Sequence, residues 1–276
     1  MKRRELLKTT LATGASTVSV SKASERGPLG IVDTNISLFR WPFRRLPLDE
    51  TSLLIEKYRE LGIVKTFAGS FEGILQRDIS AVNTRLAAEC EKHPQLLPMG
   101  SINPMLPGWE EDVKRCQEIH GMSGIRLYPN YHGYTLADRC FSQLLTLAND
   151  AGMFVQIAAV FEDVRTQPDL LRVADTQLQP LLENHGVTIQ ILNYRPKRDL
   201  LEKLAEVPSI YFDTARIDQT DGVAQFLKTI PPERVLFGTH APFLLPEASL
   251  IRVHESGLPD ATLRMVMQSN AEALLR

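Results

Sequence analysis

The chain has 276 residues, 43% of them hydrophobic and 23% charged, with a formal net charge of −2. That is the composition of an ordinary globular domain with a full core, and no apolar run approaches the roughly 20 residues that span a bilayer. Slight acidity argues against nucleic acid or an anionic membrane as the main partner, so no nucleic-acid or membrane partner is expected.

Residues 1–23 differ from the rest. Lys2, Arg3, Arg4 and Lys8 outweigh Glu5, Thr9 to Val20 is mildly apolar, and Ser21-Lys22-Ala23 offers small residues two apart. This is the layout of a secretory leader. The Arg3-Arg4 pair before Leu6-Leu7-Lys8 resembles a twin-arginine signal, with Lys2 where Ser or Thr is usual and Leu6 where Phe is usual. The reading predicts export to the periplasm with residues 24–276 as the folded domain. A basic N-terminus on a cytoplasmic protein is the alternative.

From there, short apolar runs alternate with helix-like stretches, as βα units do. Strands are predicted at Ile31–Ile36, Val64–Ala68, Leu96–Ile102, Gly124–Tyr128, Phe154–Val160, Val187–Leu192, Ser209–Phe212 and Arg234–Gly238. Helices are predicted at Glu50–Leu61, Asp78–Lys92, Gly108–His120, Leu136–Asp150, Thr176–Asn184, Leu200–Glu206 and Gly222–Thr229, followed by two at the C-terminus. Gly62, Gly121 and Gly152 stand where helices stop. Eight strands and seven intervening helices predict a single-domain (β/α)8 barrel. An open doubly wound sheet is disfavoured, because no G-x-G-x-x-G or P-loop follows a strand. Cys90, Cys116 and Cys140 lie in separate helical stretches and read as free thiols.

Active sites of such barrels lie at the C-terminal strand ends. The polar residues predicted there are Asp33, Asn35 and Ser37, then Ser70, Asn103, Arg126 to His132, Gln156, Asn193, Asp213 and His240. Strand alternation puts Asp33, Asn35 and Ser37 on one face, toward the mouth.

Asp33-Thr-Asn-Ile-Ser37, Gly124-Ile-Arg-Leu-Tyr-Pro-Asn-Tyr-His-Gly133, Val235-Leu-Phe-Gly-Thr-His-Ala-Pro242 and Ser269-Asn-Ala-Glu-Ala-Leu-Leu275 together resemble the amidohydrolase-related metal-dependent hydrolases, from about residue 30 onward. That family opens with Asp-x-His-x-His, whose histidines bind a divalent metal. Here Asn35 and Ser37 stand at those places. Ala158 or Gln156 stands where a fifth-strand His is expected, Asn193 where the sixth-strand His falls, and His240 at the eighth-strand Asp. Amides and hydroxyls are poor zinc ligands. The resemblance therefore implies a divergent barrel with no metal and no cofactor. Some relatives, lactonases acting on dicarboxylate lactones, look metal-independent.

The candidate catalytic residues are His240, Asp213 and Asp33. His240 would take a proton from water, with Asp213 or Asp33 orienting it. A hydrogen-bonded core histidine, a loop-capping Asp213 and a structural Asp33 are the plainer alternatives. Arg126, Asn35, Ser37, Tyr131, His132, Asn193 and Arg40 are the candidate substrate-binding residues, and Arg44, Arg45, Arg165 and Arg195 add positive charge at the same face. Arginines there suit a carboxylate, unless Asp33, Glu72, Glu162 or Asp163 neutralise them. Trp41, Phe43 and Tyr131 could wall a pocket. The other histidines, His93, His120, His185 and His254, read as helix-end or solvated residues.

The resulting expectation is an amidohydrolase-like, metal-independent hydrolase of a small ester, lactone or carboxylate-bearing substrate. A non-catalytic ligand-binding barrel, or a decarboxylase or hydrolase with an atypical metal site, are the rivals. The partner is a small anionic molecule, and a homo-oligomer is left open.

Overall fold

The computed structural model describes residues 29–162, 173–183 and 186–275. The predicted leader, Asp163, Arg165 and His185 lie outside them.

The apolar runs form eight strands in sequence order in one parallel sheet. They are β1 (Ile31–Leu38), β2 (Ile63–Ser70), β3 (Leu96–Ser101), β4 (Gly124–Leu127), β5 (Phe154–Ala158), β6 (Ile189–Leu192), β7 (Ile210–Asp213) and β8 (Val235–Leu236). Between β1 and β8 the amide of Thr34 donates to Phe237 O, that of Ser37 to Ala241 O and that of His240 to Asn35 O, at 2.9–3.0 Å. These bonds bring the last strand onto the first, as the barrel reading predicts.

The larger helices cover the outside: α1 (Thr51–Glu60), α2 (Ile79–Glu91), α3 (Trp109–Glu118), α4 (Arg139–Asp150), α5 (Arg198–Ala205) and α6 (Pro246–Glu255). Each turns an apolar stripe inward, for example Leu54, Ile55 and Tyr58 of α1 and Phe141, Leu144, Leu145 and Ala148 of α4. Alternate strand residues such as Ile36, Ile125, Ile157 and Ile191 meet those stripes in the main core. The short helices Glu72–Leu75 and Pro129–His132, at the mouth, carry no periodic signal long enough to be predicted.

Inside, the barrel is layered. Val32, Phe67, Met99, Phe154 and Leu236 fill one apolar layer. Above it runs a polar belt. Arg126 Nε donates to Gln156 Oε1 (2.9 Å), Gln156 Nε2 to Gln190 Oε1 (2.7 Å), Gln190 Nε2 to Thr34 Oγ1 (2.7 Å), and Thr34 Oγ1 to Phe237 O (2.9 Å). Gln190 on β6 and Thr34 on β1 are not neighbouring strands, so their bond crosses the lumen.

Arg126 is fully buried and also donates to Ile36 O (2.6 Å), Ser37 Oγ (3.4 Å) and Phe67 O (3.3 Å). Room for its guanidinium comes from Gly69, where an added Cβ would lie 2.6 Å from Nη1. Because four hydrogen-bond partners fix that group, it has little freedom to yield. Gly69→Ala is therefore expected to destabilise the fold by about 1–3 kcal/mol, measured as a lower urea midpoint. An unchanged midpoint would show the guanidinium to be mobile.

Candidate active site

The first strand carries a correction to the alternation argument. Asp33 pairs with Thr66 and Ile36 with Ala68, so three steps on β1 match two on β2. This irregularity is a bulge, which re-aims side chains. Asp33, Asn35 and Ser37 therefore do not share a face. Thr34, Asn35 and Ser37 all bond across the lumen, whereas Asp33 faces α1.

Asp33 receives Tyr58 Oη and Thr239 Oγ1 on one oxygen, both at 2.6 Å, and the amides of Asn35 (2.9 Å) and Thr239 (3.1 Å) on the other. It clamps β1 to the β8 loop and to α1. Burial pushes its pKa up to about 6 against those hydrogen bonds. All four contacts are made to protein.

At the C-terminal ends of β1, β6 and β7 lies a closed ring of bonds. Asn35 Nδ2 donates to Asp213 Oδ2 (2.6 Å) and to Asn193 Oδ1 (2.7 Å), and the amide of Asn193 donates to Asp213 Oδ1 (3.1 Å). The Ala215 amide adds a longer bond to Oδ1 (3.4 Å). All three side chains are buried. Burial pushes the Asp213 carboxyl up to about 7, with the Asn193, Asn35 and Ala215 bonds opposing.

His240 sits beside this ring with its own amide on Asn35 O. Its Nε2 lies 2.6 Å from Phe161 O, a carbonyl that can only accept, so Nε2 carries the hydrogen. The imidazole stacks on Phe243 and meets Phe161 edge-on. Burial, then the charge of Arg216, pushes its pKa down to about 3. The imidazole is thus neutral and a weak base at physiological pH. The expected Asp213–His240 pair is not formed: Asp213 is held by Asn35 and backbone amides with one Oδ2 lone pair to spare, and His240 Nε2 is held by Phe161 O. Asn193 and His240 both adopt left-handed backbone, with φ of 61° and 59°, a strain that concentrates at functional positions.

Beside His240 lies an aromatic cluster drawn from several loops. Trp41 contacts Phe43, Phe71, Phe161 and Phe243 at 5.2–5.6 Å between centroids. Its Nε1 is buried without a partner. Tyr131 packs edge-on against Phe161.

The remaining predicted binding residues sit apart from the ring. Arg40 is largely exposed and paired with Glu50 (3.2 Å). Arg44 reaches Glu162 (3.4 Å) and lies over the Phe243 ring, and Arg45 is held by Asp49 (2.7 Å). His132 is buried and bonds through Nε2 to Gly73 O (3.0 Å). Arg126 is committed to the barrel interior. Residues the sequence did not single out are Thr34, Gln190, Tyr58, Thr239, Phe161 and Arg216. For Gln190 a signal existed, a lone amide amid the apolar Ile189-Gln-Ile-Leu192. For the others, chemistry arises only from the fold.

A metal is a poor fit for this donor set. Among the described residues no three His, Cys, Asp or Glu side chains gather to hold one. The ring offers one carboxylate and two neutral amides, and with Nε2 of His240 held by Phe161 O only its Nδ1 lone pair stands beside them.

The titrating groups give a stability signature. Asp33 holds its proton to about pH 6 in the folded protein against an ordinary 3.8, so the stability it adds is present below about pH 4 and fades as pH rises through 6. Asp213 acts alike up to about 7, while His240 acts oppositely, favouring the fold increasingly as pH climbs from 3 to 6.5. Asp33→Asn removes the first contribution. The stability gap between wild type and this variant is expected to narrow between pH 4 and 6, by at most about 1.4 kcal/mol per pH unit. Denaturant titrations across that range check it, and a constant gap would assign Asp33 an ordinary pKa.

A sequence profile described as amidohydrolase matches residues 42–276. No curated protein matches the sequence. Among solved structures, 2,6-dihydroxybenzoate decarboxylase from Rhizobium superposes with a TM-score of 0.69 at 14% identity, covering 88% of this chain and 98% of that one. 5-Carboxyvanillate decarboxylase from Sphingomonas paucimobilis gives 0.71 at 11%, covering 90% and 99%. A dihydroxybenzoic acid decarboxylase from Polaromonas, with bound manganese and the inhibitor 2-nitroresorcinol, gives 0.69 at 13%, covering 88% and 96%. At these identities the likeness is one of fold.

Proposed function

The chain belongs to the amidohydrolase family, and from that premise we propose that it hydrolyses a small carboxylate-bearing ester or lactone without a metal ion, with Asp213 carrying the proton. The supporting observation is the Asn35–Asp213–Asn193 ring at the C-terminal strand ends. The donor chemistry of that ring, one carboxylate and two neutral amides, supports the metal-free part.

With its pKa near 7, Asp213 exists in both forms at neutral pH, the match that general acid–base work needs. As carboxylate it takes a proton from the water whose oxygen bonds to the substrate carbonyl carbon. As acid it returns that proton to the alcohol oxygen when the carbon–oxygen bond breaks. His240, neutral and weakly basic, is reassigned from base to wall of the site. The charges of Arg126 and Arg216 favour an anion. A carboxylate-bearing substrate also fits the acids named for the neighbouring structures.

Those neighbours favour a second reading, decarboxylation. There Asp213 in its acid form would protonate the carbon that loses CO2. The two reactions differ in pH sign. Hydrolysis uses the carboxylate, so kcat/KM should rise through about pH 7, whereas decarboxylation uses the acid and should fall through it. Assays of lactones, aryl esters and hydroxybenzoates across pH 5–9 separate them. Asp213→Asn should cost about 100-fold or more in either case. Dialysis against chelator, with elemental analysis before and after, should leave turnover unchanged. Turnover lost on chelation and restored by a divalent ion would end the metal-free reading, and tight binding without product would make the barrel a ligand binder.

A further inference from the structure

We infer that the side-chain amide of Asn193 is the donor that receives the substrate's carbonyl or carboxylate oxygen. This rests on the reading of the ring as the active site. Both hydrogens of Asn35 Nδ2 are spent, one on Asp213 Oδ2 and one on Asn193 Oδ1. With Asp213 as the carboxylate, those bonds fix which end of each amide faces which neighbour, because an amide oxygen does not face a carboxylate oxygen. The oxygen of Asn193 must face Asn35, so its nitrogen must face away from the ring.

That nitrogen is buried and has no hydrogen-bond partner. An unmet buried donor costs about 1–3 kcal/mol, and with Asp213 ionised an amide flip cannot relieve it. A ligand oxygen placed there satisfies it. The same Asn193 carries Asp213 on its backbone amide. One residue thus holds the proton carrier with its main chain and presents a preorganised donor with its side chain. Such a donor acts where negative charge develops on oxygen.

Asn193→Gly tests this, because glycine suits a φ of 61° and the fold should survive. Benzoate is the probe, a flat carboxylate, titrated calorimetrically into wild type and variant. Affinity should fall by about tenfold or more. On whichever assay substrate turns over, kcat should fall by about 100-fold with the pH limb unmoved. A role confined to positioning Asp213 would instead shift that limb. Where the glycine variant fails to fold, Asn193→Asp keeps an oxygen toward Asn35, removes the donor hydrogens and should lose the same affinity. Equal benzoate affinity in variant and wild type, or no benzoate binding by wild type, overturns the inference. Turnover retained by Asp213→Asn with binding lost in Asn193→Gly would remove the functional reading and keep the donor.

Discussion

A guanidinium sealed inside the barrel sets the terms for the rest of the molecule. Arg126 has no carboxylate among its hydrogen-bond partners; carbonyls of β1 and β2, a serine and a glutamine hold it. Burial lowers its pKa, and the fields of Tyr128, Asp213 and Asp33 act the other way. A buried charge without a direct partner survives only where hydrogen bonds replace water. The glutamine belt, the bare Cα of Gly69 and the carbonyl of Ile36 are those replacements. They draw β1, β2, β4 and β5 to one point and so fix the height at which Asn35 and Asp213 meet.

Much of this architecture is legible in the sequence. Every strand run is apolar enough to be seen, and the glycines after α1, α3 and α4 mark their ends. The ring residues Asn35, Asn193 and Asp213 are legible as well, because they are polar residues at strand ends. What is hidden is their pairing. Alternation assumes a regular strand, and the bulge in β1 moves Asn35 off the face of Asp33. Tyr58 and Thr239 join Asp33 across 25 and 206 residues of chain, and no local pattern records such contacts.

The chemistry moved for a related reason. A histidine at a strand end suggests a base by residue type alone. Its environment weakens that base, because burial against phenylalanine and nearby arginine charge push the His240 pKa down to about 3. The same dry surroundings raise Asp213 into the range where a carboxyl group exchanges protons at neutral pH. Desolvation thus acts in opposite directions on an acid and a base a few atoms apart.

Barrel loops ordinarily diversify one at a time, which is how one scaffold hosts many reactions. Here Trp41 binds the loop after β1 to Phe71 after β2, Phe161 after β5 and Phe243 after β8. Side chains in mutual contact do not change independently in their effects. A substitution in any one of these loops is therefore felt by the other three, with the indole as the residue through which it is passed on.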